Sequence, residues 1–161
     1  MADAVHPNLA LVQRMYECFN KNDMDTIRRE IFAPDLVWNL PGRHPLAGTK
    51  HGAEEVLAFF SQLVKGHVQV TLDPAADPNT RVDAWGEDTV VEVHRGHGTT
   101  TVRDASGNES QVTLNAYNCT HYHIENGRIA RVQVYISDQY SVDNFFSAVY
   151  RLKPIPGRLA D

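Results

Sequence analysis

The chain predicts an α+β domain, with helices packed on one face of a curved antiparallel sheet, and three observations carry that expectation. First, residues 111–124 alternate: Val112, Leu114, Ala116, Asn118, Thr120, Tyr122 and Ile124 share one parity, and Gln111, Thr113, Asn115, Cys119, His121 and His123 the other. A two-residue period with one apolar side marks a strand lying on a core. Second, Asn126-Gly127 supplies the two positive φ values of a type I′ turn, and Val132, Val134 and Ile136 alternate behind it as a returning strand. Third, apolar residues recur at i, i+3, i+4 and i+7 in Val12/Met15/Tyr16/Phe19, in Val56/Phe59/Phe60/Leu63 and in Val142/Phe145/Phe146/Val149. That spacing places each set on one helix face.

Taken in order, Asn8 is a plausible N-cap for the first helix. A second, shorter helix is expected to start near Asp23 and to stop before Ala33-Pro34, because the residue before proline avoids the α region. Residues 36–40 read as a short strand ended by Pro41-Gly42, and a loop leads through Gly48 to Gly52 and the next helix. Val68, Val70 and Leu72 alternate as a strand, residues 73–79 are turn-rich, and residues 81–85 form a further strand broken at 86–88. Residues 89–102, rich in Val and Thr, extend toward a turn at 104–108 that leads into the long alternating strand. Ser141 can cap the last helix.

At 161 residues, 42% apolar and 22% charged, the chain suits one globular domain with a sizeable core. We take residues 1–150 as that domain. Residues 151–161, which hold Pro154 and Pro156, read as a tail lying on the surface or on a partner subunit. The formal charge of −5 and the scattered Lys and Arg argue against a nucleic-acid surface. No apolar run is long enough to span a bilayer and no signal-like start is seen, so a cytoplasmic protein is expected. Cys18 and Cys119 have no metal-like spacing and read as reduced thiols, and His94 and His97 lack a third ligand, so no metal site is expected. The outer side of the long strands, with Asn115, Tyr117, Cys119, Gln133 and Tyr135, is amphipathic enough to meet a second subunit, so a homodimer through that face is expected.

The runs Met15-Tyr16-Glu17-Cys18-Phe19-Asn20 with Asp23, Phe32 to Trp38, Leu40-Pro41-Gly42, Pro45 to Gly48, and Val56 to Phe60 together resemble the SnoaL-like polyketide cyclase family. So do Asn126 to Ile129 and Asp138 to Asp143 with Phe145. This family lies within the nuclear transport factor 2-like superfamily, which also holds ketosteroid isomerases and limonene-type epoxide hydrolases. The resemblance covers nearly the whole chain and implies a cone-shaped, curved antiparallel or mixed sheet wrapped around helices as an α+β barrel. It further implies one deep apolar pocket for a small-molecule substrate, a dimer, and no metal or cofactor. It does not fix a reaction, because one fold hosts many functions.

Asp138 continues the parity of Val132, Val134 and Ile136, and a carboxylate ending an inward apolar row either caps the strand or projects into a cavity. In a cavity its pKa would rise toward the range of a general acid or base. The family resemblance also implies an aspartate with that role near this point, and the alternative is a helix cap or a partner for Arg. His97 shares parity with Val91, Val93 and Arg95, which aims His97 and Arg95 inward, where an imidazole can move protons near neutrality. Asn39 stands where related isomerases carry an aspartate base and epoxide hydrolases a water-holding asparagine; an amide there orients a carbonyl or a water. These three are the catalytic candidates. Asn118 and Thr120 interrupt an inward apolar row, and buried polar groups need partners, which a ligand or each other could supply. With Tyr16, Trp38, Phe60, Arg95 and Val134 they make up the candidate substrate-binding set. The function expected is acid/base chemistry of cyclase, isomerase or epoxide-opening type on an apolar, oxygenated molecule; the alternative is a non-catalytic binding protein.

Overall fold

The computed structural model describes residues 6–150. Helix α1 (Pro7–Asn20) starts with proline at its first position, where the missing N–H costs nothing, and buries Val12, Met15, Tyr16 and Phe19. His6 is the N-cap, its Nδ1 accepting from the Asn8 N–H at 3.3 Å. Asn8, the expected cap, instead sends its side-chain amide to the Glu87 carbonyl at 2.9 Å. Helix α2 (Met24–Thr26) is capped by Asp23 and runs into a π-helical turn, Ile27–Ile31, that buries Ile27 and Ile31. Strand β1 (Phe32–Leu40) begins earlier than expected and carries Pro34 near its start. Strand β2 (Gly48–His51) occupies what reads in sequence as loop. Helix α3 (Ala53–Lys65) follows Gly52, whose φ of 83° suits glycine. Glu54 and Glu55 in its first turn and Lys65 in its last complement the helix dipole.

The remaining strands are β3 (Gln69–Thr71), β4 (Arg81–Trp85), β5 (Thr89–Arg103), β6 (Glu109–Glu125) and β7 (Arg128–Ile136), and α4 (Gln139–Val149) closes the fold. The sheet order is β2-β1-β7-β6-β5-β3, with β4 also pairing β5. All pairs are antiparallel except β1 with β7. The sheet is therefore mixed, and it is curved but open, so the barrel implied by resemblance is not closed. At Gly98 a Cβ would lie 2.3 Å from the His67 carbonyl oxygen, so only glycine lets β5 pass beneath that turn.

Two apolar clusters form the interior. The larger joins α1, α3, β1 and β7 around Phe32, Trp38 and Phe60; the smaller packs Val142, Phe145 and Phe146 of α4 on Val68, Leu114 and Ala116. A cavity of about 70 Å³ lies between them, walled by residues of both clusters. The proposed tail, 151–161, lies outside the described residues. Among the described residues no helix is long and apolar enough to cross a membrane.

Candidate active site

Strand β5 builds the polar wall of the cavity. Its inward row is Val90, Glu92, His94 and Gly96, and Glu92 is 1% exposed. Opposite residues of an antiparallel pair share a face, and the register sets Glu92 against Thr120 and His94 against Asn118. The two polar interruptions of β6 thus face two polar residues of β5.

Four hydrogen-bonding groups converge behind the wall. The Tyr16 hydroxyl lies 2.9 Å from Glu92 Oε1, 3.0 Å from His94 Nδ1 and 2.6 Å from the Tyr122 hydroxyl. His94 Nδ1 is 2.9 and 3.1 Å from the two Glu92 oxygens, and the Tyr122 hydroxyl is 3.2 Å from Oε1. One proton arrangement satisfies all of them: Tyr122 donates to Tyr16, while Tyr16 and His94 Nδ1–H donate to the Glu92 carboxylate. Burial, and then the Glu92 charge, push both tyrosine hydroxyls well above their ordinary pKa, so they remain donors. With its proton on Nδ1, His94 keeps a lone pair on Nε2, which receives the Asn118 amide at 3.0 Å. His94 and Asn118 both line the cavity; the rest of its wall is Tyr16, Gly96 and apolar side chains such as Trp38, Phe60, Val134 and Phe146. Two buried atoms there have no hydrogen-bond partner, Trp38 Nε1 and Asn118 Oδ1.

The arrangement is a carboxylate–imidazole pair whose second nitrogen, held by the Asn118 amide, belongs to a residue lining a largely apolar cavity. When the Asn118 amide turns from it to a bound molecule, that nitrogen can take a proton from the molecule, and the buried carboxylate stabilises the imidazolium that forms.

The structure gathers some of the expected residues and disperses others. Tyr16, Trp38, Phe60, Asn118 and Val134 line the cavity. Thr120 is fully buried on the same strand face, its hydroxyl without a partner, but it lies outside the cavity lining. Asp138 does not project inward. The strand ends at Ile136, and Asp138 is the exposed N-cap of α4, accepting from the Ser141 N–H at 3.0 Å and hydroxyl at 2.5 Å. Those bonds, hydroxyl first, lower its pKa rather than raise it. His97 and Arg95 lie on the opposite face from the expected one. His97 Nε2 is 3.0 Å from the Thr71 hydroxyl, and Arg95 donates to Asn115 at 2.8 Å and stands 3.9 Å from Asp77. Asn39 also turns away, bonded to Gln133 at 2.9 Å and Thr49 at 3.2 Å, because Leu36, Trp38 and Leu40 take the buried parity of β1.

Glu92 and His94 are the residues that sequence reasoning missed. Val91 and Val93 made the outward row of β5 look like the core row, and a buried Glu-His row resembles a solvated one. The signal that could have found them was the β5–β6 hairpin: an inward Asn118 requires an inward partner across the ladder.

Comparison with known proteins agrees with this architecture. The SnoaL-like domain family profile matches residues 12–132. A protein from a soil-derived mobile gene cassette, Bal32a, is 25% identical with a TM-score of 0.70, over 87% of this chain and 96% of that one. A Xanthomonas campestris protein provisionally named a polyketide cyclase is 21% identical with a TM-score of 0.64, over 89% and 97%. An NTF2-like protein from Burkholderia xenovorans is 19% identical with a TM-score of 0.65, over 90% and 98%. No curated protein matches the chain. With the family profile covering most of its length and an NTF2-like structure sharing its fold, the chain belongs to the SnoaL-like domain family.

Proposed function

We propose that this protein is a small-molecule enzyme that moves a proton on an apolar, oxygenated substrate, using its own side chains as acid and base. The observation that supports it is the position of His94, held by Glu92 on Nδ1 and presenting Nε2 with Asn118 at the cavity. In this reading His94 takes the proton, Glu92 fixes the imidazole tautomer and balances the imidazolium, and Tyr16 and Tyr122 hold the carboxylate in place. Asn118 donates to the oxygen on which charge develops. Aldol-type cyclisation, isomerisation and epoxide opening all need such a proton transfer, and the provisional name of the Xanthomonas neighbour falls in the first of these.

The test is a turnover screen of neutral ketones, enols and epoxides with the wild-type protein, His94→Gln and Asp138→Asn. Loss of about 100-fold or more in kcat is expected for His94→Gln, within the usual range for a general base, and little change for Asp138→Asn. The reverse result would move the proton carrier to Asp138. Binding without turnover by every form favours a carrier of the same ligand class. A homodimer through the outer sheet face belongs to the same proposal, supported by Tyr135, which is 59% exposed there; sedimentation of Tyr135→Glu against wild type tests it.

A further inference from the structure

We infer that the cavity selects neutral, single-ring molecules bearing a hydroxyl, phenols and enols, over carboxylates and hydrocarbons of the same shape; this rests on the reading of the cavity as the substrate site. Three observations lead to it. The first is the pair of unpartnered atoms. Asn118 Oδ1 is a buried acceptor lacking a donor, and Trp38 Nε1 is a buried donor lacking an acceptor. Each such atom is held out of water unsatisfied, at a cost in stability, until a partner arrives. A hydroxyl supplies both functions, donating to Asn118 Oδ1 and accepting from Trp38 Nε1. A carboxylate only accepts, and a hydrocarbon does neither.

The second observation is charge. Among the described residues no Lys or Arg lines the cavity, while the Glu92 carboxylate lies directly behind His94. A ligand carboxylate would be desolvated with no cation to pair it, beside a charge of its own sign. Lys50, whose ammonium lies 4.8 Å over the Phe59 ring, is committed to the carbonyls of Leu46 and Gly48. The third observation is size. About 70 Å³ is well below the several hundred Å³ of sites for drug-sized ligands, and the aromatic wall of Trp38, Phe59 and Phe60 suits a flat ring.

The inference is tested on the full chain with Trp85→Phe as background, so that Trp38 is the tryptophan reporting. Trp85 is 77% exposed and Trp38 lines the cavity, so quenching then reads cavity occupancy. The probes are 4-ethylphenol, ethylbenzene and 4-ethylbenzoate at neutral pH. 4-Ethylphenol is expected to bind at least about tenfold more tightly than either, the equivalent of one or two hydrogen bonds. Asn118→Leu is expected to narrow the preference for 4-ethylphenol over ethylbenzene at least about threefold, with ethylbenzene still bound, which also shows that the variant is folded. Equal or tighter binding of 4-ethylbenzoate, equal binding of ethylbenzene, or no binding by any probe overturns the inference. Phenol selectivity with no turnover of any enolisable ketone upholds the ligand class and removes the proton-transfer reading, so the two failures are distinguishable.

Discussion

Tyr122 shows how one atom is tied to the candidate chemistry. Its hydroxyl is fully buried and donates into the Tyr16–Glu92–His94 group. Tyr122→Phe removes a donor but leaves Tyr16 still bonded to Glu92, so it is expected to cost about 1 kcal/mol of stability, read as a lower midpoint in urea at unchanged slope. Glu92→Leu differs in kind: it leaves the buried Tyr16 hydroxyl and His94 Nδ1–H without their acceptor, and should cost more than Tyr122→Phe in the same measurement. At the same scale, His94 was out of reach of periodicity. Alternation says which residues share a face but not which face is inside, and valines on the outer row of β5 tipped the choice. Asp138 takes the second of its two readings, the helix cap, for a related reason: it continues the parity of β7, but the strand stops two residues earlier and hands the residue to a helix end.

Among the elements, α4 depends on that helix end. Ser141 donates its hydroxyl and its N–H to Asp138, lowering the carboxyl pKa below its ordinary value. A depressed carboxyl contributes stability that is present above its unfolded pKa and lost as pH falls through the folded one. Asp138→Ala is therefore expected to lower the thermal midpoint at neutral pH and to narrow the gap from wild type below about pH 4, measured by circular dichroism. Where β5 passes the turn before β3, Gly98→Ala places a methyl against the His67 backbone, a contact that no rotamer relieves. Loss of about 1–3 kcal/mol, with faster amide exchange in β3, is the expected outcome. These elements were largely readable in advance: three helices by their spacing, the strands by alternation, and the 126–127 turn by its dipeptide. The short β2 and the π-helical turn were not, since neither has a repeating pattern long enough to register.

For the whole molecule, the cavity exists because two apolar clusters meet incompletely. Phe60 is central to the larger one, within 5.2–5.7 Å ring-centre distance of Phe19, Phe32, Trp38 and Phe59. Phe60→Ala is expected to destabilise the fold by about 3–5 kcal/mol unless a ligand fills the enlarged space. Addition of 4-ethylphenol should then recover part of the lost thermal midpoint, since a ligand that binds only the folded state stabilises it. A midpoint unmoved by ligand would mean that the enlarged space has collapsed or is not continuous with the cavity.

What the sequence determined by itself is the class of fold, nearly every helix and strand, and the inward side of β6 and β7, because local periodicity sets which side chains share a surface. What only the tertiary structure decided is the parallel pairing of β1 with β7, the inward face of β5, and hence the meeting of Tyr16, Glu92, His94 and Asn118. Those residues lie on three elements, from Tyr16 to Asn118 along the chain. Their meeting depends on strand register and helix docking, which arise from the packing of distant segments rather than from any one stretch of chain.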